Sequence, residues 1–178
     1  MRPAIIAVRE GSALRIYEGS PRQDWEEVLR SIGAFADRQR IKEILFLEID
    51  GGFLLQGLGV PGGSGWSESV SLSKQTHEIT DEQVGQLMDE RSDERRSSEE
   101  EHPHAGIQNY YEQALRVLGG YLDGRKPRDL FFFEQQGSFV LRMLTVSSNG
   151  AIAHELAEFT REEILAMIEN APDQRRGR

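Results

Sequence analysis

Two glutamates form the best-matched pair of ionisable side chains in the sequence. Glu48 and Glu134 each lie in an apolar stretch, ILFLEI and LFFFEQ, shortly before a tight turn. Two carboxylates brought together in an apolar setting can have raised pKa values and act as a general acid and base, or bind a cation. A glutamate near a strand end more often reaches water or pairs with a basic side chain. Because their positions match, Glu48 and Glu134 are nevertheless the candidate ligand-binding residues of the sequence. No residue is assigned as catalytic.

A second group of reactive side chains lies between residues 99 and 104. His102 and His104 follow three consecutive glutamates, and imidazole with carboxylate suits several divalent ions. A metal site also needs rigid support around its ligands, whereas this stretch has the composition of a solvated linker. The sequence therefore predicts no metal site and no cofactor.

The glycine-rich segment GLGVPGGSGW spans residues 57–66 and begins with a G-x-G-x-x-G match. A dinucleotide-binding loop needs a strand before it and a helix after it, because the helix N-terminus holds the pyrophosphate. The residues after Trp66 alternate as a strand does. The segment is therefore predicted to be a long hairpin connection, with Trp66 as the residue that anchors it.

Composition limits the possible partners and locations of the chain. The 178 residues carry a net charge of −9, which repels phosphate backbones and argues against nucleic acid as a partner. No apolar run approaches the roughly 18 residues of a membrane span, so no membrane interaction is expected. The chain has no cysteine and begins without the apolar core of a secretory signal. We expect a cytoplasmic protein.

The elements that position these residues are repeated along the chain. Residues 25–60 align without a gap on residues 111–146, an offset of 86, with 12 identities in 36 positions. Unrelated segments would share about two, so the alignment predicts an internal duplication. The likeness resumes at Thr80 and Thr160 with an offset of 80.

Each copy is predicted to form a helix, three strands and a second helix. The first helix of copy one is expected to begin at Ser20, and the second helices of the two copies at Thr80 and Thr160, each with a capping box. Asp50-Gly51 and Gln136-Gly137 suit tight hairpin turns. The third strands are expected at residues 68–76 and 151–157.

These elements define an α+β fold: an internal duplication of an α-β-β-β-α unit with antiparallel sheets, plus an N-terminal β-hairpin. The predicted domain organisation is a hairpin with copy one (1–95), a charged linker (96–106), copy two (107–172) and a disordered tail (173–178).

The α-β-β-β-α order resembles that of small acidic secretion chaperones, and its duplication resembles the saddle of the TATA-binding protein. These resemblances concern the fold, which does not by itself imply a function. A concave DNA-binding sheet would also be basic, in contrast to the net charge of this chain.

Both faces of the predicted sheets are apolar. Pairing across Asp50-Gly51 places Glu48 opposite Phe53 and Phe46 opposite Leu55, so apolar side chains occupy each face. The helices can cover one face. The other could be covered by the second copy's sheet or the hairpin, by a second identical subunit, or by a hydrophobic ligand or peptide.

The sequence thus favours a non-enzymatic binding or interaction module that uses an apolar sheet face for self-association, as in a homodimer, or for a protein partner. The alternative is an enzyme or small-molecule-binding protein with a site between the two copies, near Glu48 and Glu134. The candidate residues of the interaction face are Phe46, Phe132, Phe53 and Phe139.

Overall fold

The computed structural model of the chain describes residues 6–10, 13–17, 24–59, 73–98 and 110–171. This part of the chain is α+β, as the sequence predicts. Its elements, in chain order, are β1 (Ile6–Glu10), β2 (Ala13–Tyr17), α1 (Trp25–Arg38), β3 (Lys42–Ile49), β4 (Gly52–Gly59), β5 (Ser73–Thr80), α2 (Asp81–Ser98), α3 (Tyr110–Asp123), β6 (Arg128–Gln135), β7 (Ser138–Val146), β8 (Ile152–Phe159) and α4 (Arg161–Asn170).

Six strands form a single antiparallel sheet in the order β5-β4-β3-β6-β7-β8, and β1 pairs with β2 as a hairpin. The order helix, three strands, helix occurs twice, and we call α1 to α2 the first half and α3 to α4 the second half. The halves join where β3 pairs with β6, with Phe46 opposite Phe132. The prediction of separate sheets, one of which could cover the other, is therefore wrong.

The hairpin turns place the strands in the predicted register. Gly51 and Gly137 both have positive φ angles, of 76° and 85°, which glycine adopts without steric cost. Glu48 pairs with Phe53 and Phe46 with Leu55, as expected from the sequence. The third strands end later than predicted, at Thr80 and Phe159.

Two helix starts are as predicted and one is not. The Thr80 and Thr160 hydroxyls each accept a hydrogen bond from the backbone N–H three residues on. The Gln83 and Glu163 side chains in turn accept from the backbone N–H of Thr80 and Thr160, which completes both capping boxes. Helix α1 begins at Trp25 rather than near Ser20, and its N-cap residue makes no side-chain capping bond. The cap comes instead from the other half, as described below.

All four helices pack on one face of the sheet. The core between them contains Trp25 and Leu29 from α1, Leu115 and Leu118 from α3, and single residues from the outer helices. The outer helices contribute Val84 and Ile164, each buried.

Several expectations lie outside the described residues, namely the glycine-rich connection beyond residue 59 with Trp66, the start of the third strand at 68–72, the stretch with His102 and His104, and the tail 173–178. Helix α2 runs to Ser98, into the segment predicted as a linker. The domain boundaries stay a prediction.

Candidate interaction face and the junction of the halves

The four phenylalanines predicted to form an interaction face lie in the core. Their side chains are 0–1% exposed beneath the helices, and the rings of Phe46 and Phe132 stack with centroids 4.7 Å apart. A partner cannot reach Phe46, Phe53, Phe132 or Phe139 in this structure. The alternation pattern shows that these residues share a face, but it does not show which face the helices cover.

The opposite face of the sheet, which we call the open face, is covered by no helix of the described chain. The registers align its side chains in two rows that cross all six strands. Most of the apolar members are partly exposed, and Leu156 is 74% exposed. Row one is Glu78, Leu54, Leu47, Phe131, Arg142 and Leu156, and row two is Thr76, Gln56, Leu45, Phe133, Val140 and Glu158.

Glu48 and Glu134 lie at the junction of the halves, where each hydrogen-bonds the backbone of the opposite half. Glu48 Oε2 accepts from the Leu130 N–H at 3.0 Å, and Glu134 Oε2 accepts from the Ile44 N–H at 3.4 Å. Both side chains are partly buried. Their carboxylates satisfy backbone donors near irregular points of β3 and β6, where the strand register shifts.

Aromatic residues behind the two glutamates differ between the halves. The Tyr111 hydroxyl donates to Glu134 Oε2 at 2.6 Å and accepts from the Glu43 N–H at 3.2 Å. The aligned residue in the first half is Trp25, whose buried Nε1 has no hydrogen-bond partner among the described residues. The two junctions are thus alike in their glutamates and unlike in their aromatic donors.

Helices α1 and α3 pack closely through two glycines. A Cβ on Gly33 would overlap the backbone carbonyl of Tyr111, and a Cβ on Gly119 would overlap that of Trp25. Only glycine permits the backbones to approach so closely. The two positions align in the sequence repeat.

An aspartate at the end of each of these helices caps the start of the other. Asp123 accepts from the backbone N–H groups of Trp25 and Glu26, at 2.7 and 3.1 Å. Asp37 accepts in the same way from Tyr111 and Glu112, at 3.2 and 2.9 Å. These carboxylates satisfy donors that a helix N-terminus otherwise leaves free. The sequence alignment pairs Asp37 with Asp123, and this match is the signal in the sequence that could indicate a shared role. It does not show that the role is helix capping.

Burial is the main cause of the raised pKa values of the capping aspartates and of Tyr111. It raises the pKa of Asp37 to about 6, against the lowering effect of the two backbone N–H donors, and the nearby Glu112 charge adds to the rise. Burial also raises the pKa of Asp123. The pKa of Tyr111 is raised by burial first and then by its bond to the Glu134 carboxylate.

Two buried arginines link the same helices. Arg30 is 3% exposed and its Nε lies 3.0 Å from Glu112 Oε1. Arg116 lies 3.9 Å from Glu26 and also donates to the Ala171 carbonyl at 2.6 Å. Each ion pair joins α1 to α3, and each has its counterpart 86 residues along the chain.

A cavity of about 390 Å³ lies beside the β6–β7 turn and the start of α4. Its lining includes Gln136, Ser138 and Arg161, but neither Glu48 nor Glu134. No cluster of three or more metal-ligating side chains occurs within the described ranges. Of the helices that the structure describes, none has the length and apolar character needed to cross a membrane.

Comparisons of the chain with family models, with curated proteins and with solved structures find no match.

Proposed function

We propose that the chain is a non-enzymatic interaction module that associates with itself or with a protein partner through the open face of its six-stranded sheet. The observation that carries this proposal is the composition of that face. Across the four central strands, six of the eight side chains in rows one and two are apolar, the exceptions being Arg142 and Gln56.

In an antiparallel sheet with one face in water, polar residues on that face normally alternate along each strand with apolar residues on the buried face. Monomeric proteins rarely expose an apolar patch of more than a few hundred Å², and larger patches mark binding surfaces. On the edge strand β8 the open face also carries two exposed apolar residues, Leu156 and Ile152, which are 74% and 45% exposed and are interspersed with His154 and Glu158. These features support a surface used for binding.

The test compares two substitutions on the open face. Phe133→Lys places a charge at the centre of the apolar rows, and Thr76→Lys places the same charge at the polar edge. We expect Phe133→Lys to abolish self-association, or to reduce the fluorescence of a bound hydrophobic dye severalfold, while the free energy of unfolding of the monomer changes by about 1 kcal/mol or less. Thr76→Lys should leave dye binding unchanged and should affect association far less than Phe133→Lys does. A wild-type chain that neither associates nor binds dye would contradict the proposal, as would equal behaviour of the two variants.

The alternative, a catalytic or small-molecule site near Glu48 and Glu134, has weaker support. Both carboxylates already accept hydrogen bonds from backbone donors of the opposite half. These hydrogen bonds account for the partial burial of both carboxylates without any ligand.

We further propose that the two halves arose by internal duplication. The support comes from contacts that recur in pairs: the glycines of α1 and α3, their capping aspartates, their ion pairs and the glutamates of the junction. The cytoplasmic location stays a prediction from the composition.

A further inference from the structure

The open face is large enough to require an occupant of the size of another sheet. Six strands of about eight residues, at about 4.8 Å spacing and 3.3 Å rise, present on the order of 750 Å². A standard stable interface buries about 800 Å² on each partner. The dimensions of the face therefore match one side of such an interface.

Smaller candidates from the chain itself do not match. The hairpin of β1 and β2 has five residues in each strand and would cover about 160 Å². A single extended peptide would cover a similar area. Either would leave most of the two apolar rows in contact with water.

We propose that the occupant is a second copy of this chain, packed face to face in a dimer whose twofold axis runs parallel to the strands. This inference rests on the proposed function of the open face. Packed sheets keep their strands nearly aligned. The axis then places β5 over the partner's β8, and β4 over the partner's β7.

Charges on β5 and β7 favour this arrangement. In row one, Glu78 on β5 is exposed at one end, and Arg142 on β7 is exposed near the other. Within one chain these two residues are four strand spacings apart, about 19 Å. In the proposed dimer Glu78 lies one strand spacing from the partner subunit's Arg142, and the symmetry repeats the pair. An axis perpendicular to the strands would place each strand over its own copy and would not form this pair.

Lys42 and Arg128 also lie on the open face, aligned with Leu58 and Leu144 at opposite ends of the central strands. The proposed axis sets each of them one strand spacing from the partner's copy of the same residue, so these two basic pairs oppose association and do not favour the axis.

A charge exchange tests the dimer and its axis together. Glu78→Arg and Arg142→Glu, made singly, should each raise the dissociation constant of the dimer about tenfold. The variant that carries both should return to within about twofold of the wild type. Because the two side chains are far apart within one chain, such a rescue can only come from pairing between subunits. Single variants that dissociate no more readily than the wild type, or a double variant without rescue, would overturn the proposed arrangement.

Light scattering on three further samples separates this inference from the proposed function. A wild-type dimer that Leu47→Lys converts to a monomer supports both proposals. A wild-type monomer at the highest soluble concentration overturns the second-copy proposal; the proposed function survives if dye binding still falls in Phe133→Lys. A variant without residues 1–23 should remain a dimer. If only this shortened chain dimerises, the N-terminal hairpin occupies the face in the wild type and the second-copy proposal is wrong.

Discussion

The two halves contact each other through matched residues, yet they differ at the buried aromatic behind each junction. In the second half Tyr111 donates to Glu134 and receives the Glu43 N–H. In the first half Trp25 fills the aligned position, fully buried, and its indole N–H finds no acceptor among the described residues. A buried donor without a partner costs free energy that a satisfied one does not.

This difference separates the contacts that occur on both sides of the α1–α3 interface from the one that occurs on a single side. The glycine contacts and the aspartate caps occur on both sides of the α1–α3 interface. The aromatic hydroxyl occurs on one side only. The backbone approach and the helix caps therefore define the junction, and the hydrogen bond from the aromatic is an addition in one half.

The edge strands differ as well. On the open face β5 carries Lys74, Thr76 and Glu78, whereas β8 carries the exposed Leu156 at the position aligned with Thr76. Polar side chains are a common protection for a sheet edge. The second half keeps polar residues at the two flanking positions, His154 and Glu158, and differs from the first half in the exposed Leu156 between them.

The largest effect is expected from adding a methyl group at the helix crossing. Gly33→Ala and Gly119→Ala should each destabilise the fold by about 3 kcal/mol, because the Cβ would overlap a backbone carbonyl that cannot move alone. Urea unfolding measures the change. If the halves are equivalent at this contact, the two losses should agree within about 1 kcal/mol.

Gly120→Ala is the matched control for this prediction. The nearest atom to its added Cβ would be Glu26 Oε2 at 3.8 Å, which is ordinary contact. Alanine favours the helix over glycine, so this variant should gain up to about 1 kcal/mol. Losses at Gly33 and Gly119 no greater than the change at Gly120 would contradict the close approach of the helices.

The stability contributed by the capping aspartate Asp37 should depend on pH. Asp37→Asn presents an amide to backbone donors and should cost about 1–2 kcal/mol at acidic pH. Because burial raises the pKa of Asp37 from 3.8 to about 6, the native state binds this proton more tightly than the unfolded state does. The resulting stabilisation is complete below about pH 3.8 and is lost as the pH rises through 6.

The stability advantage of the wild type over Asp37→Asn should therefore shrink by on the order of 1 kcal/mol between pH 4 and pH 7. Unfolding measured at several pH values gives this difference directly. Asp123→Asn should change in the same direction, and Asp50→Asn in the exposed β3–β4 turn controls for the loss of one negative charge. An advantage over Asp37→Asn that grows with pH would contradict the assigned effect of burial.

The aromatic difference predicts an effect of intermediate size. Tyr111→Phe removes the hydroxyl that joins Glu134 to the Glu43 N–H and should destabilise the fold by about 1.5 kcal/mol. Tyr110→Phe is the control, because the Tyr110 hydroxyl makes a bond of 3.5 Å to the Gly137 carbonyl. Its loss should cost less than about 0.5 kcal/mol. Equal losses in chemical denaturation would show that the junction gains nothing from the Tyr111 hydroxyl.

Local signals in the sequence predict much of this architecture. Glycines in the two turns define the strand register, and threonines followed by Gln83 and Glu163 define two helix starts. Each of these features depends on residues only a few positions apart. The α+β class and the pairing of Glu48 with Phe53 follow from them.

The sequence predicts that Glu48 and Glu134 lie where the copies meet, but the caps and strand pairing between the halves join residues far apart in the chain and have no local signal. Asp123 caps a helix that starts 98 residues earlier, whereas the local sequence pattern indicates a cap at Ser20. The pairing of β3 with β6 likewise depends on how the halves meet. Phe46 and Phe132 were assigned to an interaction face because both sheet faces are apolar, and only the helix positions show which one is buried.

The smallest expected change in stability concerns the two ion pairs between α1 and α3, which should differ in how much they stabilise the fold. Glu112→Gln removes a negative charge 3.0 Å from the buried Arg30 but leaves an amide oxygen that can still accept its hydrogen bond, and should cost about 1 kcal/mol. Glu26→Gln should cost less than about 0.5 kcal/mol, because Glu26 is 45% exposed and lies 3.9 Å from Arg116. Arg116 also keeps its bond to the Ala171 carbonyl. Thermal unfolding of both variants measures the difference, and equal losses would mean that the two ion pairs stabilise the junction equally despite their different lengths and exposure.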